Sequence, residues 1–213
     1  MVVFHAGRDL EFFGLMPPGT TLSGNWYILA RVVAGSFFFF SGLSLVFAHA
    51  DGIRWRAFWR RMAVIGAAAL TISTVTYAAM PSKFIYFGIL HSIAACSLAG
   101  LMFLAVPPIL TLILAAGILA IHLASPHPLQ GAIWSFTGLS TDVRPTLDLL
   151  PIVPWVSALL FGVAVAKIWN PVPRRASGLI EHLGWPGRHS LSIYLLHQPI
   201  LLGVIWLTLD SFQ

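Results

Sequence analysis

Apolar runs of membrane-crossing length, separated by short breaks in which the arginines collect, limit what this 213-residue chain can fold into. A helix needs roughly 20 apolar residues to cross a bilayer core, and in hydrocarbon only helices and closed barrels satisfy every backbone polar group. Such runs occupy residues 25–50, 62–80, 84–106, 108–124, 151–169 and 188–209. A further run opens the chain as MVVFHAGRDLEFFGL, residues 1–15, where only Met1 to Phe4 precede His5. The sequence therefore reads as starting inside a span: either the true N-terminus lies upstream or a half helix suffices. No basic stretch followed by an apolar run and a cleavage site marks a secretory signal. The charged fraction of 9%, against about 25% in soluble domains, excludes a soluble globule. The expectation is all-α: a polytopic transmembrane helix bundle of about seven spans, the first truncated, in one domain over residues 1–213.

The charges set the expected orientation. Spans two and three, four and five, and six and seven join on one side, which receives Arg54, Arg56, Arg60, Arg61, Lys167, Arg174, Arg175 and Arg188. The opposite loops hold only Lys83 and Arg144. Basic loops stay in the cytoplasm, so residues 14–24, 81–83 and 125–150 are expected outside. The net charge of +5 is thus a topology signal rather than a nucleic-acid footprint. Cys96, the single cysteine, lies in an apolar run and reads as packing.

This topology collects the unusual polar residues at the outer face. On a helix His5 and Asp9 are four apart and share a face, so the carboxylate can hold one imidazole nitrogen and leave the other to take a proton. The same residues, with Arg8 and Glu11, could instead sit in solvated headgroups. Arg31 either snorkels to water or pairs with Asp9, Glu11 or an anionic substrate. His91 begins about two turns into the fourth span, roughly 10 Å deep at 1.5 Å per residue, and His5 sits at similar depth. Two intramembrane histidines at one depth suggest a polar cavity, the alternative for each being an interhelical hydrogen bond.

The loop at 125–150 exceeds the roughly 12–15 residues typical of structureless connections. It carries Trp134, Phe136, Asp142, Arg144 and Asp148, a mix able to grip a sugar under a lid or simply to lie at the interface. In the last span Ser190, Tyr194, His197 and Gln198 form a polar stripe at three-to-four-residue spacing, which either lines the cavity or bonds to neighbouring helices. No zinc-spaced His/Cys cluster, phosphate loop or nucleophile elbow occurs, so no metal is expected.

Several stretches, taken together, resemble the catalytic-domain family of heparan-alpha-glucosaminide N-acetyltransferases, in its short bacterial branch. They are VVFHAGRDLEFFG at Val2 to Gly14, FFFFSGLSL at Phe37 to Leu45, the arginine-rich stretch after it, FIYFGILHSIA at Phe84 to Ala94, DLLPIVPW at Asp148 to Trp155, and GRHSLSIYLLHQPIL at Gly187 to Leu201. They run nearly end to end and in order. The family's first helix normally begins with a further apolar, often arginine-containing segment that this sequence lacks, and the eukaryotic enzymes are longer with more spans.

The resemblance implies an integral membrane acyltransferase, placed in a bacterial inner membrane with its basic loops cytoplasmic. It takes an acetyl group from cytoplasmic acetyl-CoA and delivers it across the bilayer to a sugar amine or hydroxyl of a glycan; the family's terminal glucosamine is not assumed. Wider membrane acyltransferase families carry a histidine in the outer part of the first span, which favours His5 as the base, with Asp9 orienting it. His5 removes the acceptor proton or forms a transient acetyl-histidine, and His91 positions the thioester or stabilises the oxyanion. Arg54, Arg56, Arg60, Arg61 and Arg188 are the candidates for the CoA phosphates, although the topology rule alone accounts for them. Arg8, Arg31, Trp134, Asp142, Asp148, Tyr194, His197 and Gln198 are the candidates for the acceptor. A non-enzymatic carrier of a small solute, or a proton-coupled transporter using the same His/Asp/Arg cavity, is the competing class. Internal repeats would favour a carrier and none is present.

Overall fold

The computed structural model describes residues 1–124, 128–169 and 185–210, without the side chains of residues 186, 188, 209 and 210. Among them the chain is all-helical: α1 (Val2–Phe12), α2 (Gly24–Ala48), α3 (Trp55–Ala79), α4 (Ile89–Met102), α5 (Pro108–Ala124), α6 (Ile152–Trp169), the single turn α7 (Trp185–Arg188) and α8 (Ser190–Asp210), with 3-10 turns at Thr20–Leu22 and Ala132–Thr137. Each of the seven apolar runs therefore becomes a helix. By length and composition α2, α3, α6 and residues Ser190–Thr208 of α8 can cross a membrane, while α4 and α5 are shorter apolar helices. The fold class is that of a helical integral membrane protein.

Two boundaries differ from the sequence reading. The arginine-rich stretch is not a loop to Arg61. Helix α3 starts at Trp55, so Arg56, Arg60 and Arg61 are helical, and the connection tightens at Gly52, whose φ of 110° suits a residue without a Cβ. Helix α4 starts at Ile89 rather than Phe84, because the preceding residues pair with another segment. Leu147 donates its N–H to the Lys83 carbonyl at 2.8 Å, Leu150 donates to Phe87 at 3.2 Å, and Phe87 bridges Leu149 in parallel. That pairing holds the chain extended up to Gly88, at ψ −170°.

The backbone packs as two compact units: Met1–Val33 with Val172–Gln213, and Ala34–Pro171. In the first, α1 packs against α8 and against the Thr20–Leu22 turn. In the second, α6 is the central helix. It is apolar all round, as a helix enclosed by others must be, and buries Val156, Leu159, Leu160, Val163 and Ala164 against α4 and α5. Its approach to α2 needs glycine on both sides. A Cβ on Gly42 would stand 2.0 Å from the Leu159 carbonyl oxygen, and one on Gly162 2.0 Å from that of Phe39. Small residues that let helix backbones touch are how helices associate where no water drives them together.

Hydrogen bonds tie the helix ends of this second unit together. At one end Lys167 Nζ donates to the Phe103 and Val106 carbonyls, 2.7 Å each, joining the end of α6 to the α4–α5 turn. At the other, the Ser92 hydroxyl donates to the Pro151 carbonyl at 3.3 Å, and the Thr146 hydroxyl donates to Phe84 at 2.9 Å.

Candidate active site

Helix α1 places His5 and Asp9 on one face, as their spacing requires. Its other contacts are set by Gly7, where a Cβ would come within 2.6 Å of the Trp26 ring; glycine there lets the indole lie against the helix. The His5/Asp9 face meets Tyr194, His197 and Gln198 of α8. Gln198 Nε2 donates to Asp9 Oδ1 at 2.6 Å. The rings of His5 and His197 meet edge to face with centroids 4.8 Å apart, and Phe4 and Tyr194 flank them at 5.6 Å each.

The hydrogen bonds fix the chemistry of this cluster. His197 Nδ1 lies 2.6 Å from the Tyr194 backbone carbonyl. A carbonyl only accepts, so Nδ1 carries a proton, and when the ring is in its neutral form Nε2 is a bare acceptor. Asp9 and His197 are 4% and 8% exposed, which places the cluster in a nearly dry environment. There Asp9 Oδ2, His197 Nε2 and Gln198 Oε1 are buried and have no hydrogen-bond partner among the described residues. Gln198 must turn its NH2 to the carboxylate, which leaves its oxygen as the unpartnered atom. Three unsatisfied acceptors, one of them a carboxylate oxygen, are costly to bury and match a ligand that brings O–H or N–H donors.

The sequence placed Asp9 beside His5 as its orienter; in the structure the carboxylate's described partner is Gln198. Arg8 and Glu11 are occupied in building the adjoining loop. Glu11 accepts from the backbone N–H of Gly19 at 2.6 Å and of Thr21 at 3.0 Å, and from the Thr21 hydroxyl. Arg8 Nη1 donates to Thr21 Oγ1 at 3.1 Å and pairs with Glu11 at 3.5 Å. Arg31, which the sequence offered to Asp9 or Glu11, lays its guanidinium over the Tyr27 ring at 4.8 Å, a cation–π contact.

His91 belongs to the second unit, in the first turn of α4. Its Nδ1 accepts from the Gly88 N–H at 3.3 Å, and its Nε2 lies 3.4 Å from Ser73 Oγ. The Ser73 hydroxyl donates to the Ile85 carbonyl at 2.6 Å, so its oxygen accepts from His91 Nε2–H. Both ring nitrogens of His91 are engaged and the ring is neutral. Asp148 lies at the same helix start, accepting from the backbone N–H groups of Ile89 and Leu149. Burial pushes its carboxyl up to about 6 against the pull of those two bonds. A Cβ on Gly88 would come within 3.1 Å of its Oδ2.

Asp142 accepts from the Gly131 N–H at 2.6 Å and closes the loop before α6 on itself, Tyr86 Oη meets Ser135 Oγ at 2.9 Å, and Trp134 and Arg144 are exposed. Of the basic residues, Arg54, Arg56 and Arg60 are exposed. Arg61 is not: its Nη2 donates to Ser41 Oγ at 2.9 Å, and Ser41 lies 3.5 Å from Ser97 Oγ. The Arg188 side chain, Arg174 and Arg175 lie outside the described residues. Sequence reasoning missed Ser41, Ser73 and Ser97. A hydroxyl inside an apolar span was the available signal, too common to single out without knowing which helices meet. No group of three or more His, Cys, Asp or Glu side chains suited to a metal ion occurs among the described residues.

In comparison with known proteins, the family model described as "Heparan-alpha-glucosaminide N-acetyltransferase, catalytic" matches residues 1–199. No curated protein and no solved structure matches this chain.

Proposed function

Because this chain belongs to the heparan-alpha-glucosaminide N-acetyltransferase catalytic family, we propose that it acetylates a sugar amine or hydroxyl on the far side of the membrane, drawing on cytoplasmic acetyl-CoA. The observation that carries this reading is the largely buried α1–α8 cluster of two imidazoles, a carboxylate and a glutamine, in which Asp9 Oδ2, His197 Nε2 and Gln198 Oε1 lack a partner among the described residues. All of these residues fall within the matched segment.

In the proposed reaction the acceptor places its O–H or N–H among Asp9 Oδ2, His197 Nε2 and Gln198 Oε1. One imidazole of the His5/His197 pair removes the proton as the acceptor atom attacks the thioester carbonyl. The C–S bond breaks, and the proton leaves on the CoA thiol. Acetyl-CoA supplies the activated acyl group. The exposed Arg54, Arg56 and Arg60, together with Arg61 and Arg188, are the proposed contacts for its phosphates. His91, whose Nε2–H is bonded to Ser73 among the described residues, is the proposed donor to the thioester or its oxyanion. Trp134, Asp142 and Asp148 remain proposed acceptor contacts in the outer loop.

The test is transfer from radiolabelled acetyl-CoA by purified protein in lipid nanodiscs, offered a membrane or cell-wall glycan extract, with wild type and His5→Ala in parallel. Label should pass into glycan with wild type and fall at least tenfold in the variant. Wild-type protein that neither binds acetyl-CoA nor transfers label would sink the proposal.

A further inference from the structure

We infer that His197 is the residue that takes the acceptor's proton, and that His5 positions it. The inference rests on the acetyltransferase reading and assigns roles within that site.

The two imidazoles of the pair are not equivalent. His197 has its Nδ1–H fixed on the Tyr194 carbonyl at 2.6 Å, which locks both the tautomer and the ring plane. Its Nε2 is then a buried lone pair with no partner among the described residues. A general base must present such a lone pair within hydrogen-bond reach of the proton it removes, and a backbone carbonyl is a common orienter of the opposite nitrogen. The next residue, Gln198, grips Asp9 and so keeps a carboxylate beside the ring as it becomes an imidazolium. His5 meets the ring edge to face, and its described contacts are with the rings of Phe4 and His197. That contact holds the His197 ring in place.

The step balances. The acceptor X–H bond breaks, with its proton going to His197 Nε2. The X–C bond forms at the acetyl carbonyl, the C–S bond breaks, and the imidazolium returns the proton to the departing thiolate to give CoA thiol. The titratable groups facing His197 are His5 and Asp9 from α1 and Tyr194 from α8 itself. Arg8, on α1, is turned to Glu11 and Thr21, and the Met1 amine, like Arg8, acts on His5.

Two measurements decide it. In the first, kcat/KM for the acceptor is followed against pH for wild type, His197→Gln and His5→Phe, with acetyl-CoA affinity as the check on folding. His197→Gln should lose roughly a hundredfold or more in kcat, lose the fall in rate at acid pH, and recover partly with added imidazole. His5→Phe keeps an aromatic edge and should retain the acid limb. In the second, the ring 15N shifts of histidine-labelled protein should report His197 in the Nδ1–H form, independently of turnover. An Nε2–H tautomer, or a His197→Gln enzyme that folds, stays within threefold of wild type and keeps its acid limb, would overturn the assignment while leaving the acetyltransferase reading intact. Wild-type protein inactive with every glycan fraction would overturn both.

Discussion

Asp148 shows what a single half-buried carboxylate does at the start of a helix. Its two backbone bonds favour the charged form, as does the positive end of the α4 dipole, yet burial dominates and its carboxyl sits at about 6 rather than 3.8. The folded chain therefore holds this proton more tightly than the unfolded chain between those values. Stability then falls as pH rises through the folded value, the reverse of a salt-bridged aspartate. From pH 5 to pH 7 this group alone should cost about 1 kcal/mol. Asp148→Asn should remove that slope, so thermal melts of wild type and variant in the same detergent should diverge between pH 5 and pH 7, the variant gaining at pH 7. Parallel curves would mean that the carboxylate is solvated. At this scale the sequence was readable where the relation was local. His5 and Asp9 share a face because of a spacing of four, which any helix enforces. Asp9's actual partner is 189 residues away, and a polar stripe in the last span could announce only that a partner was wanted.

Among the helices, the contact between α2 and α6 makes the sharpest demand on sequence. Gly42→Ala and Gly162→Ala each drive a methyl to 2.0 Å from a backbone carbonyl oxygen, a clash that no rotamer relieves and only a shift of the helices can. The expected cost is about 1–3 kcal/mol, seen as a lower melting temperature in detergent. Gly66→Ala and Gly117→Ala, where a Cβ meets nothing within 4 Å, should leave stability unchanged or raise it by up to about 1 kcal/mol, since alanine suits a helix better. Equal behaviour of the two pairs would rule out the close crossing. Helix existence was legible throughout, because apolar runs of this length have few other folds. The boundaries were not, where a break was decided from elsewhere in the chain. Residues 84–88 are as apolar as α4 itself, and they stay extended only because residues 147–150 pair with them. The arginines of 56–61 read as loop by charge, yet helix propensity carries them into α3.

For the molecule as a whole, the proposed reaction depends on direction, with donor and acceptor on opposite sides of a bilayer. Helix α3, with 25 residues, is about 37 Å long at 1.5 Å per residue and exceeds the roughly 30 Å hydrocarbon core, so as a span it would put the residues just before and just after it in opposite compartments. The positive-inside rule predicts the 49–54 turn in the cytoplasm, where the proposed donor, acetyl-CoA, would be available to Arg54, Arg56, Arg60 and Arg61. It predicts Ser82 outside, with the loop that carries Asp142 and Asp148. Cys96 is fully buried, so the native chain gives little background with a membrane-impermeant maleimide, and single added cysteines report cleanly. Ser82→Cys should label in intact cells. Ala50→Cys, exposed in the 49–54 turn, should label only after permeabilisation. The opposite pattern would place the arginines away from the CoA pool and remove the proposed donor route, even though the α1–α8 cluster would be unchanged. That separation is physical: the charge asymmetry is what predicts which way the protein faces, while the acceptors on α1 and α8 that lack a partner among the described residues are what the proposed acceptor would meet.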